Sequence, residues 1–253
     1  MSVATYNRVV FSNPLDGALM LALERKGTVL QNGNVNVRAQ PFGGGVKILD
    51  SIPLEELIGE IQFDSERSKQ EQDFRILIEP SHWESVKEYC LLHLRNQDDP
   101  YLEAHPDREL VEEFEETLGL GLKSDQHEVQ PVGFVVENHP VQTGNEHARG
   151  QLTVRLYRTF EVLVTDPMLC HRMLTASRQV SDHTLEIQAL KDAERGGSGH
   201  ACAILTLPLG LAVESYRALS PDKRYRKMVI EGHELDESVL AILDVDVPQY
   251  ERI

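Results

Sequence analysis

The chain of 253 residues is short of cysteine, of positive charge and of long apolar runs, and each shortage removes a class of protein. Its three cysteines, Cys90, Cys170 and Cys202, are far apart and form no CxxC pair, which excludes a zinc ribbon and a disulfide framework and predicts buried thiols. Lys and Arg number 25 against 41 Asp and Glu, a formal net charge of −16. Such a surface repels phosphate backbones, so no long nucleic acid is expected as a partner. The densest basic stretch, Asp222 to Lys227 (DKRYRK), is too short to reverse that. No apolar run reaches the ~18 residues that span a bilayer, and no membrane association is expected. The first residues, MSVATYNRVVF, lack the charged and apolar regions of a secretory signal, so a reducing cytoplasm is the expected compartment. No internal repeat or low-complexity tract is present. No GxSxG, GxxxxGK[ST] or HxxxH signature appears either; Glu194 to Gly199 (ERGGSG) reads as a flexible turn before a strand, not as a phosphate loop.

What is present is an ordinary globular composition, 41% hydrophobic and 26% charged, with punctuation for a mixed α/β fold. Strands are predicted over Asn7 to Ser12, Val35 to Ala39, Phe74 to Ile78, Val129 to Val136, Leu152 to Thr165 and His200 to Leu207. Ala18 to Glu24 suits strand or helix. Asn32-Gly33 predicts a hairpin turn, because both positions tolerate positive φ. Helices are predicted over Ser51 to Ile61, Ser81 to Leu94 with a Ser81–Glu84 capping box, Pro167 to Ser177, Ser181 to Glu194, Leu209 to Leu219 and Leu235 to Leu243. Polar stretches 64–73 and 137–150 read as loops; the second carries His139, His147 and Arg149.

The densest chemistry lies in Pro106 to Gly119 (PDRELVEEFEETLG), a helix with proline in its first turn and glycine as its stop. At 3.6 residues per turn Glu109, Glu112, Glu113 and Glu116 share an arc of about 100°, opposite Leu110, Val111, Phe114 and Leu118. Like charges at these spacings repel by about 0.2–0.5 kcal/mol per pair. A divalent cation would remove that repulsion; an ordinary solvated acidic face would bear it.

Arg108-Glu109-Leu110-Val111-Glu112-Glu113 resembles the centre of the Nudix box, and Pro41-Phe42-Gly43-Gly44-Gly45-Val46 resembles the glycine-rich strand end that opens it. The resemblance implies a Nudix-like α/β/α sandwich over a mixed sheet, as a single domain across residues 1–253. An inserted α/β unit would occupy about 49–102, and a helical C-terminal elaboration about 209–253. It further implies a hydrolase of a small nucleoside-diphosphate-linked molecule, dependent on Mg²⁺ or Mn²⁺. Glu109, Glu112, Glu113 and Glu116 would ligate metal, with Arg108 orienting them. Gly43, Gly44 and Gly45, with His147 and Arg149, would meet the substrate. The chain also departs from the family. Sixty-two residues separate Gly45 from Arg108, where the family has a short loop. The family's loop glutamate would fall at Pro100, with Glu103 the nearest substitute, and Gly119 comes one turn late. These departures suit an alternative, a Nudix-fold nucleotide-sensing or protein-interaction module without hydrolysis, and a homodimer through the insertion or the C-terminal segment is compatible with either. An unrelated α/β fold with an acidic helix is the third reading. The distance in space between Gly43 to Gly45 and Glu112–Glu113 decides among them.

Overall fold

The computed structural model describes residues 1–142, 151–219, 228–246 and 251–252. In chain order its strands and helices are β1 (Ser2–Ser12), β2 (Leu19–Val29), β3 (Val35–Gln40), β4 (Phe42–Gly45), β5 (Lys47–Ile48), α1 (Ile52–Ile58), β6 (Gln62–Phe63), α2 (Glu66–Glu71), β7 (Ile76–Leu77), α3 (Trp83–His93), β8 (Leu102–Glu103) and α4 (Asp107–Leu118). There follow β9 (His127–Gln142), β10 (Leu152–Val164), α5 (Pro167–Gln179), α6 (Asp182–Glu194), β11 (His200–Pro208), α7 (Leu209–Arg217), β12 (Met228–Ile230), β13 (His233–Leu235), α8 (Val239–Leu243) and β14 (Glu251–Arg252).

This is a mixed α+β fold around one ten-stranded sheet, in the order β12-β13-β3-β2-β1-β10-β9-β14, with β11 also on β2 and β4 also on β1. The sheet is mixed because β1 runs parallel to β10 while its other edge takes antiparallel partners. That edge is shared: Ala4 to Asn7 pair with β4, and Val9 to Ser12 with β2. Alternation along the strands sorts the core to two faces. Met20 and Ala22 of β2, with Val9 and Phe11 of β1, pack under Leu110 and Phe114 of α4 and Leu169 and Met173 of α5. Leu21, Leu23 and Val10 face the other way, onto Ala212 and Tyr216 of α7 and Leu240 and Leu243 of α8.

Chain from Val46 to Ala104 builds a third core with Leu54, Phe74, Val86 and Cys90, closed against Val3, Phe134, Val136 and Leu156 of the sheet. Its two ends meet in the short β5–β8 ladder, Lys47 opposite Glu103 and Ile48 opposite Leu102. Backbone bonds from Val3 N–H to the Phe74 carbonyl (3.0 Å) and from Val46 N–H to the Val3 carbonyl (3.1 Å) dock it on the start of β1.

Several local expectations give way to stronger competitors. Of the stretch Ala18 to Glu24, read as strand or helix, Leu19 to Glu24 is strand, part of β2. The Asn32-Gly33 turn has positive φ only at Gly33 (81°); the Asn32 side chain accepts from Asn34 N–H at 3.0 Å, and the loop is a residue longer than a two-residue hairpin. The polar stretch 64–73 is not loop throughout, because the Ser65 hydroxyl caps α2 by accepting from Ser68 N–H. The Ser81–Glu84 capping box does not form: Pro80 starts a 3₁₀ turn, α3 begins at Trp83, and Glu84 pairs with Lys87 at 2.6 Å. Stretch 137–150 is strand as far as Gln142, because Glu137 and then Val141 and Gln142 continue the ladder with β10 across a bulge. Leu235 ends β13, so the last described helix starts at Val239, and the C-terminal segment adds strands as well as helices.

Candidate functional site

Helix α4 is seated by its apolar side. Leu110 and Phe114 are fully buried, and the Phe114 ring meets Phe42 of β4 with centroids 4.8 Å apart. Burying two such side chains contributes about 3–6 kcal/mol. Gly119, at φ 63°, stops the helix in the left-handed region and returns its N–H to the Glu115 carbonyl. Phe42 and its three following glycines therefore lie directly under the acidic face.

There the decisive contact appears. Gly43 N–H donates to Glu113 Oε2 at 2.6 Å. A Cβ on Gly44 would come to 3.2 Å from Glu109 Oε2, a tight contact that the end of the glutamate side chain would have to ease. Gly43 itself has φ 130°, and a Cβ there would strike the Thr5 carbonyl oxygen at 2.2 Å. Gly45 faces Asp73 of the inserted unit. The contact to the glycines runs through amide hydrogen rather than carbonyl oxygen, the reverse of what a carbonyl ligand to metal would need.

The glutamates divide three ways. Glu113 is mostly covered; burial and then the neighbouring Glu24 carboxylate push its pKa up to about 9, against the pull of the Gly43 N–H. Glu109 is half-buried and raised by burial, with Arg108 opposing. Glu112 keeps 60% of its side chain exposed. Arg108 reaches part of the group: Nε donates to Glu103 Oε1 at 2.9 Å, Nη2 pairs with Glu109 Oε1, and Nη1 lies 3.5 Å from Glu112 Oε2. Glu103, the nearest stand-in for the missing loop glutamate, is thus drawn to the site by the arginine. Thr5, Asn7, His105 and Pro106 complete the walls of the small cleft between Gly43 to Gly45 and Glu109.

Glu116 departs from the expected set. It points to Glu24 of β2 and Cys202 of β11, and among the described residues these three alone gather as a potential ligand group of His, Cys, Asp or Glu. Glu109, Glu112 and Glu113 are not so gathered. Glu24 accepts from Gln40 Nε2 at 2.6 Å, and Lys26 lies nearby on the same strand. Burial alone would lower the Lys26 pKa, but Glu24, Cys202, Glu113 and Glu116 outweigh it and raise it. Neither Glu24 nor Cys202 belongs to any motif; the legible signal was a charged residue at an inward position of an apolar strand, ALMLALE. His147 and Arg149 lie outside the described residues.

A cavity of about 1290 Å³ opens between the inserted unit, β1, β3 and β10, and none of the described α4 glutamates lines it. Gln40 joins the two regions, since it borders the cavity and donates to Glu24. Arg155 and Tyr157 are buried in its wall, with Arg155 Nη2 on Glu237 at 2.6 Å and the Tyr157 ring 5.4 Å from that of Tyr6.

No protein-family model matches the chain, and no curated protein does. Among solved structures, the crystal structure of a MutT/Nudix family protein from Listeria innocua is similar over 96% of this chain and 90% of that one, at 14% identity and a TM-score of 0.36. At that level the reading of the site rests on its own geometry.

Proposed function

We propose that the protein is a Nudix-type hydrolase that cleaves a small nucleoside-diphosphate-linked molecule with the help of Mg²⁺ or Mn²⁺. The observation that carries this reading is the 2.6 Å bond from Gly43 N–H to Glu113, which sets the glycine strand on the acidic helix across 70 positions of sequence. The donors fit the ion: Glu109, Glu112 and Glu113 offer only hard carboxylate oxygens, and the raised Glu113 carries at neutral pH a proton that a cation would replace. When bound, the ion polarises a phosphoryl oxygen and eases ionisation of water.

The chain's own residues supply the rest of the proposed chemistry. Glu112, and Glu113 once a cation has displaced its proton, would hold the charge of the cleft, and the Gly43 N–H orients the Glu113 carboxyl. Arg108 engages Glu109 Oε1, leaving Oε2, on the Gly44 side, to take the proton of the attacking water. The water oxygen bonds to phosphorus as the bridging P–O bond breaks, and two monophosphate-containing products leave.

A second reading, a nucleotide-binding module without hydrolysis, is favoured by one feature: Arg108 already pairs with Glu103, Glu109 and Glu112, which are not gathered as a three-ligand cage. Long nucleic acid suits neither reading in a chain of net charge −16. No helix among the described residues is long and apolar enough to cross a membrane.

The test is product release from a panel of nucleoside diphosphate derivatives and dinucleoside polyphosphates, with Mg²⁺ and then Mn²⁺. Metal-dependent turnover that falls on the order of 10²-fold or more in Glu112→Gln and Glu113→Gln is expected. Nucleotide binding without turnover on any compound would replace hydrolysis with the binding role.

A further inference from the structure

Three elements converge on one point beside the proposed site. Glu24 on β2, Glu116 on α4 and Cys202 on β11 each bring a donor atom to within 4.8 Å of the other two, and Cys202 Sγ lies 3.9 Å from Glu116 Oε2. Glu24 is fully buried. Its Oε2 is occupied by Gln40, and its Oε1 makes no hydrogen bond of regular geometry, although the Cys202 thiol and the Lys26 ammonium are neighbours of the carboxylate. A buried carboxylate oxygen without a regular hydrogen bond is costly, and an ion is one of the few things that can satisfy it. The thiol is suitably placed: Cys90 and Cys170 are buried, whereas Cys202 is partly open.

We propose that Glu24, Glu116 and Cys202 form a second cation site, adjoining the Gly43–Glu113 floor but with its own ligands, for a borderline-soft divalent ion such as Zn²⁺ or Co²⁺. One sulfur and two carboxylate oxygens are a donor set that such ions prefer and Mg²⁺ does not; the all-oxygen set of Glu109, Glu112 and Glu113 has the opposite preference. Three protein ligands leave a fourth tetrahedral position open. An ion there would tie α4 to β11 and β2, and the Lys26 ammonium, held among the same acids, would swing out on its flexible stem as the cation enters.

The experiment is titration of the metal-stripped full chain with Co²⁺, without nucleotide, reading the near-ultraviolet thiolate-to-cobalt charge-transfer band. Wild type should show the band, Cys202→Ser should lose it, and Glu24→Gln should weaken binding by on the order of ten- to a hundred-fold. Zn²⁺ should also slow alkylation of Cys202 by iodoacetamide in wild type and not in Glu24→Gln. If Glu24→Gln fails to fold, Glu116→Gln, altered at an exposed position, replaces it. Glu112→Gln should keep the band, and it separates the two sites: loss of hydrolysis with the band intact leaves this proposal standing. Absence of the band in wild type, its survival in Cys202→Ser, or its loss in Glu112→Gln would overturn it.

Discussion

Replacing Glu113 by glutamine should stabilise the metal-free protein, and increasingly so as pH rises. In the folded chain burial and Glu24 raise this carboxyl from its ordinary 4.5 to about 9. An acid raised on folding makes the native state hold more protons than the unfolded chain between those two values, so stability falls with increasing pH across that window. At pH 7 the folded chain must keep a proton that the unfolded chain has lost. Each pH step above 4.5 costs about 1.4 kcal/mol, or about 3 kcal/mol by pH 7. Glutamine has nearly the same shape, its carbonyl oxygen can still accept from Gly43 N–H, and it carries no proton to lose. In a chain of this length about 3 kcal/mol corresponds to roughly 6–12 °C in Tm. Thermal and urea unfolding in EDTA, at pH steps from 4 to 9, would measure the difference. It should vanish near pH 4, reach about 3 kcal/mol at pH 7 and grow until about pH 9. Added Mg²⁺ should stabilise wild type by displacing the proton and close the gap. A difference independent of pH, or a variant less stable than wild type at pH 8, would refute the buried, raised carboxyl.

Other substitutions probe how the site is supported. Gly43→Ala should cost at least about 2 kcal/mol in urea unfolding, since it strains the backbone at φ 130° and drives Cβ onto the Thr5 carbonyl. Arg25→Met should cost about 2 kcal/mol in the same assay: the buried guanidinium that pairs with Asp182 at 3.0 Å and bonds the Val180 carbonyl is what pins α6 to β2. Tyr216→Phe should cost about 1.5–3 kcal/mol by removing the 2.7 Å bond from the buried hydroxyl to the buried Asp244 carboxylate, read by calorimetry.

The sequence showed the helix and the glycines readily, because both rest on local chemistry. A 3.6-residue alternation of Leu110, Phe114 and the glutamates fixes which side of α4 is buried, and glycine at 43 is required by its φ of 130° and the close Thr5 carbonyl. Their meeting in space was legible only through resemblance to a family. Glu24 and Cys202 were illegible for the opposite reason. Each is one residue on a strand, joined by the long-range pairings Lys26–Cys202 and Glu24–Ile204 that nothing local encodes. Local signals also failed where two of them competed. At Ser81 the preceding proline wins over the capping box, and at Ser65 a cap forms inside a stretch too polar to suggest a helix.

The little ladder of Lys47–Ile48 with Leu102–Glu103 has a kinetic consequence. Measured along the chain, Gly45 and Arg108 are far apart. Measured through the ladder, the route is two residues from Gly45 to Lys47, one step across to Glu103, and five residues on to Arg108. A closed stem of this kind turns a long search into a short one: shrinking the loop about eightfold removes roughly 2 kcal/mol of closure entropy from the encounter of glycines and glutamates. The inserted unit, whose core is completed by Val3, Phe134, Val136 and Leu156 of the sheet, would zip its stem as it docks there, and the site would then assemble as a local event.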